Sequence, residues 1–106
     1  FRSECFEHFI VCEIHRLTRY ANAGQRLFTL NSQDGFEIDL IIDKETGPQA
    51  IEIKSSFKKD TKLLSGLKYW SKYQPSSNGL LLYQGDDSET DYPLLNYVSW
   101  KNIDQL

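Results

Sequence analysis

The apolar residues near the start of the chain recur at helical spacing. Phe6, Ile10, Ile14, Leu17 and Ala21 stand three or four apart with Phe9 beside them, which predicts a helix over residues 5–21 with one buried stripe. After a turn-like Asn22-Ala23-Gly24 the period drops to two. Residues 26–30 (RLFTL) read as a short strand, and NSQDG as the turn into a second strand at 36–43. There Phe36, Ile38, Leu40 and Ile42 alternate with Glu37, Asp39, Ile41 and Asp43, one set on each face. KETGP turns the chain into a third strand at 49–54, where Ile51 and Ile53 oppose Ala50, Glu52 and Lys54.

Helical spacing returns from about Thr61 to Tyr73, with Leu63 or Leu64, Leu67 and Trp70 toward the core, and QPSSNG ends it. LLLYQ (80–84) is a buried strand, 85–93 (GDDSETDYP) an acidic polar loop, and 96–100 (NYVSW) an edge strand. The order α-β-β-β-α-β plus a tail, free of internal repeats, predicts one α/β domain with helices flanking a central mixed sheet.

Composition agrees with that picture. A chain of 106 residues, 40% hydrophobic, 13% aromatic and 25% charged, has the make-up of one globular domain. No run approaches the roughly 18 apolar residues of a spanning helix and the start lacks a signal peptide's regions, so the expected compartment is the cytoplasm, with no membrane contact. Opening at Phe1 and holding no Met, the sequence reads as a piece of a longer chain.

Charge refines the functional reading. The net −3 argues against a nucleic-acid coat protein, because phosphate affinity comes mainly from clustered Lys and Arg. Residues 52–72 nonetheless carry six basic and two acidic groups, and Lys54, Lys58, Lys59, Lys62, Lys68 and Lys72 supply the basic ones. A solvated lysine face is the plain explanation of such a run. Tyr69, Trp70 and Tyr73 interleave with Lys68 and Lys72, which suits stacking on nucleic acid, although core packing is the default explanation for Trp70 and leaves Tyr69 and Tyr73 freer to act.

The candidate chemistry lies in the second and third strands. Phosphate-loop, dinucleotide-binding, nucleophile-elbow and zincin motifs are absent. What remains is a set of carboxylates with one lysine. If the two strands pair, Asp39 and Glu52 stand about 5–7 Å apart, and Lys54 points to the same side about 6–7 Å along its strand. Two adjacent carboxylates repel unless a cation or a shared proton offsets them, and a hard divalent ion such as Mg²⁺ suits such donors. A solvated sheet face or a Glu–Lys cross-strand pair is the alternative. On a wheel of about 100° per residue, Glu7 and Glu13 both border the apolar stripe, so either could add an acid.

Cys5, His8, Cys12 and His15 share one side of the same helix and raise a zinc reading. Residues 5 and 15 are about 15 Å apart along a helix axis, so the four cannot surround one ion. His8 and Cys12 could at most supply two ligands; free thiols in a reducing compartment are the simpler expectation.

Taken in order, CFEHFIVCEIHRL, GFEIDLII, AIEIKSS, GLKYWSKY, GLLLYQGD and YVSWKNI resemble the C-terminal domain of a large prokaryotic group of AAA-type ATPases. That domain is similar to the PD-(D/E)XK nuclease superfamily. The resemblance implies a restriction-endonuclease-like core and a metal-dependent nuclease acting on DNA, with an AAA-type ATPase domain in the same chain holding any ATP. It implies Glu7, rather than Glu13, with Asp39, Glu52 and the main-chain carbonyl of Ile53 as ligands of Mg²⁺ or Mn²⁺, and Lys54 as their catalytic partner. Lys58, Lys59, Lys62, Tyr69 and Lys72 are then the expected nucleic-acid contacts. The usual Pro before the Asp is replaced by Ile38, and the Gln that accompanies a Tyr in some related helices has no clear counterpart beside Tyr69 or Tyr73. The rival expectation is a catalytically silent nuclease-like module that docks a protein or a nucleic acid.

Overall fold

A computed structural model describes residues 3–21, 26–31, 33, 35, 37–44, 47–92 and 94–105. Helix α1 (Ser3–Ala21) is followed by strands β1 (Arg26–Asn31), β2 (Glu37–Lys44) and β3 (Gly47–Ile53). A single 3₁₀ turn at Thr61–Leu64 leads into helix α2 (Ser65–Tyr73), and strands β4 (Gly79–Tyr83), β5 (Ser88–Glu89) and β6 (Leu95–Ser99) end in a second 3₁₀ segment, Trp100–Gln105. Phe36 and the turn at 22–24 lie outside the described residues.

The strands form one six-stranded sheet in the order β1-β2-β3-β4-β6-β5. The first three strands pair antiparallel as two hairpins, whereas β3, β4 and β6 run parallel. Joining β3 to a parallel β4 requires a crossover, and α2 provides it. The result is a mixed α/β fold with apolar layers on both faces. Phe6, Ile10 and Ile14 of α1 pack on Leu40, Ile42, Ile51, Ile53 and Leu82. Leu64 and Leu67 pack on Ile38, Ile41, Ala50, Leu81 and Tyr83 from the other side. Strand β4 is buried along its whole length because helical layers or neighbouring strands cover every side of it.

Three local expectations are corrected. Strand β6 is an inner strand, because Ser88 and Glu89 of the acidic stretch pair outside it with Tyr97 and Asn96. The second helix begins as a 3₁₀ turn, capped where Asp60 Oδ1 accepts from the Lys62 N–H at 3.0 Å.

The third correction bears on function. Phe28 pairs with Ile41 but Leu30 pairs with Ile38, so three steps along β2 match two along β1. This β-bulge spans Asp39 and Leu40 and reverses the alternation. Ile38 therefore lies in the α2 layer with Ile41, opposite Leu40 and Ile42, rather than sharing their face.

Candidate carboxylate and lysine site

Beyond the bulge the β2–β3 ladder opens. Its last backbone pair is Leu40 with Ile51, where continued register would set Asp39 against Glu52. Side chains take over there. The Asp39 N–H donates to Glu52 Oε1 at 3.2 Å, and the Ile53 N–H donates to Asp39 Oδ2 at 2.8 Å. Each carboxylate thereby caps the other strand's main chain, which fixes both beside one another at the mouth of the hairpin. Across the parallel pair, the Lys54 N–H donates to Leu82 O at 2.9 Å and anchors the strand end that carries the lysine.

Glu52 is only 6% exposed. Burial first, then the hydrogen bond with Asp39 and repulsion from its charge, pushes the Glu52 acid up to about 9, against a partial lowering by Lys54. Part of that burial comes from α2: a Cβ added at Gly66 would stand 3.0 Å from Glu52 Oε2 and 2.6 Å from the main-chain oxygen of Glu37. Gly66 stands in the first turn of α2, where glycine costs up to about 1 kcal/mol relative to alanine, and this close approach is the physical reason for it. That glycine was the sequence signal for the contact, and periodicity alone missed it.

Helix α1 brings Glu7 toward the same place. Burial raises its acid, the Asp39 charge raises it further and Lys54 opposes the rise. Glu13 points elsewhere: its carboxylate pairs with Arg16 at 2.9 Å, and that bond holds it below the ordinary range. Among the described residues, no three His, Cys, Asp or Glu side chains converge closely enough to form a metal cluster from side chains alone. This includes the cysteines and histidines of α1, where Cys5 and Cys12 are exposed free thiols and His8 Nε2 lies 3.6 Å from Cys12 Sγ.

The expected nucleic-acid residues divide into two groups. Lys62, Tyr69 and Lys72 line a groove of about 650 Å³ on α2 with Ser65, Lys68 and Tyr73. Lys58 and Lys59 are exposed on the connection between β3 and the 3₁₀ turn and lie outside that lining. Trp70 is a packing residue, half-buried against the core, and its Nε1–H donates to Ser77 Oγ at 3.2 Å.

Fold and site together define a mixed α/β domain that holds a buried Glu52, a half-buried Asp39 and a lysine where two strands part. The chain belongs to the family described as a domain of unknown function, DUF4143, whose model matches residues 2–103. Domains of this family are commonly found C-terminal to AAA ATPase domains. No curated protein matches the chain significantly. Among the described residues, no helix is long and apolar enough to cross a membrane.

Proposed function

We propose that this domain is a metal-dependent phosphodiesterase of restriction-endonuclease-like architecture, acting on DNA in partnership with an AAA-type ATPase domain that supplies any ATP-driven step. The observation that carries the reading is the reciprocal capping of Asp39 and Glu52, which holds two carboxyl groups together beside Lys54, Glu52 keeping its proton without an ion. The donor set fits Mg²⁺ or Mn²⁺: the oxygens of two carboxyl groups are hard donors, and the Ile53 main-chain carbonyl and waters would complete the shell. When bound, such an ion neutralises phosphate charge and makes water a better nucleophile.

The remaining roles belong to the chain. Asp39 and Glu52 would hold the ion, and their hydrogen bonds to the opposite strands' main chain keep them from splaying apart. Lys54 offers positive charge to a phosphate oxygen as negative charge accumulates there during attack. Glu7 adds a further carboxyl group from the helical layer. Hydrolysis then adds water across one P–O bond of the backbone.

Cleavage of labelled DNA in Mg²⁺ or Mn²⁺ tests this reading, with Asp39→Ala and Lys54→Ala as comparisons. Each substitution is expected to lower the rate about a hundredfold or more. Equal rates for all three proteins would refute hydrolysis at this site.

One observation favours a second reading, a nuclease-like module that docks without cleaving: among the described residues the carboxylates do not form a three-side-chain cluster. The two readings part in a thermal melt. An ion that binds only the folded site raises the melting temperature with the logarithm of its concentration above the Kd, whereas a silent module melts at the same temperature with and without Mn²⁺.

A further inference from the structure

The groove on α2 combines two features that the carboxylate site does not use. Tyr69 and Tyr73 sit one helical turn apart with ring centroids 5.1 Å from each other, tilted by 51°. Tyr73 is 63% exposed, so an aromatic surface stands in water beside its partner ring instead of in the core. Lys62 and Lys72 flank the pair and are exposed, and no described carboxylate lies within ion-pairing distance of either. Lys68 is committed differently, with its Nζ 4.3 Å from the centroid of the Tyr92 ring.

The helix that carries the groove also packs over the acids. Ser65 lines the groove, and the next residue, Gly66, is the one whose backbone closes over Glu52 Oε2.

We infer that this groove binds single-stranded DNA, its bases stacking on the Tyr69–Tyr73 pair and its phosphates held by Lys62 and Lys72. This deepens the nuclease reading and rests on it for the choice of DNA, but the binding itself requires no cleavage. Single strands are favoured over duplex because base faces are exposed for stacking only when unpaired. DNA is taken over RNA from the nuclease reading, since the Thr61 and Ser65 hydroxyls of the lining can contact a 2′-hydroxyl as well. The net positive stretch at 52–72 supplies the complementary charge in a chain that is otherwise acidic.

Fluorescence polarisation of a short 5′-labelled oligo(dT), titrated with the 106-residue chain in EDTA, isolates binding from hydrolysis. Tyr73→Ala is expected to weaken binding about tenfold, and Tyr73→Phe to restore it. The Lys62→Ala/Lys72→Ala double variant is expected to flatten the log–log salt dependence by about 1.4. Lys101→Ala, outside the groove, serves as the control. Duplex DNA, oligo(rU) and a polyglutamate peptide are expected to bind more weakly than oligo(dT).

Four outcomes overturn the inference: no oligo(dT) binding, binding indifferent to the groove variants, equal affinity for duplex or oligo(rU), or equal affinity for the acidic peptide. Because no metal is present, a failed cleavage assay with intact oligo(dT) binding removes the nuclease reading alone. Cleavage without groove-dependent binding removes this inference alone.

Discussion

Asp39 and Glu52 face each other where backbone pairing between β2 and β3 stops, the Asp39 N–H donating to Glu52 Oε1 at 3.2 Å. The pair replaces a ladder rung with a carboxyl junction. A strand pair ordinarily gains stability from its rungs, so a junction that buries acid instead lowers stability locally and has its explanation in chemistry.

The sign of the resulting pH dependence follows from Glu52. Its folded pKa, pushed up to about 9, lies above the value near 4.5 of the free side chain. The folded protein therefore holds a proton that the unfolded chain releases. This contribution is fully present below about pH 4.5 and is lost as pH rises toward 9. In metal-free buffer the melting temperature is expected to fall across that window. Glu52→Gln keeps an oxygen for the Asp39 N–H and adds a donor for the Asp39 carboxylate. It is expected to flatten the profile and to stabilise the protein by about 1–2 kcal/mol near pH 8 while abolishing cleavage. Melts of the two proteins across pH, with an activity assay, check all three parts.

Glu7 and Glu13 separate the two faces of α1. Glu7 responds to the charges of Asp39 and Lys54, whereas Glu13 is tied to Arg16. Glu7→Gln is expected to weaken Mn²⁺ affinity about tenfold, measured by calorimetry, with Glu13→Gln indistinguishable from the unmodified chain. Equal affinities in all three proteins would place Glu7 outside the site.

Gly66 sets how closely α2 approaches the sheet. An alanine there would meet the Glu37 carbonyl at 2.6 Å, a main-chain atom that cannot rotate away. The propensity gain of alanine, about 1 kcal/mol, is expected to be outweighed by the displacement of the helix, leaving a net loss of about 1–3 kcal/mol in urea denaturation.

Much of this arrangement was legible in the residues. The helical stripe of α1, the E-x-K strand and the lysine-aromatic interleaving of α2 all follow local periods of 3.6 or 2, which side-chain polarity records directly. The bulge at Asp39 was not legible, because one extra residue in a strand leaves every residue type unchanged and only the neighbour's register reveals it. Alternation across 36–43 consequently placed Ile38 with Leu40 when the fold separates them. Strand β5 escaped for a related reason: Ser88 and Glu89 have poor strand propensity and owe their pairing to β6.

Asp87 shows what else lay hidden in the acidic stretch 85–93. Its Oδ1 accepts from the Ser99 N–H at 2.6 Å, and the Asn102 side-chain amide donates to both of its oxygens, at 3.1 and 3.0 Å. One carboxylate thus ties the end of β6 to the closing 3₁₀ segment, whose first residue, Trp100, packs edge-on against Phe6 and Phe9 of α1 at 6.3 Å each. Asp87→Ala leaves the Ser99 N–H and the Asn102 amide without this acceptor, at a cost of about 1–3 kcal/mol. Asp87→Asn keeps one acceptor oxygen and is expected to lose less. Tryptophan emission followed through urea denaturation measures the order of the three proteins. The closing segment is distant in sequence from the carboxyl pair, and oligo(dT) affinity is expected to stay unchanged in both variants under native conditions. A variant that lost affinity without losing stability would show instead that Asp87 takes part in binding.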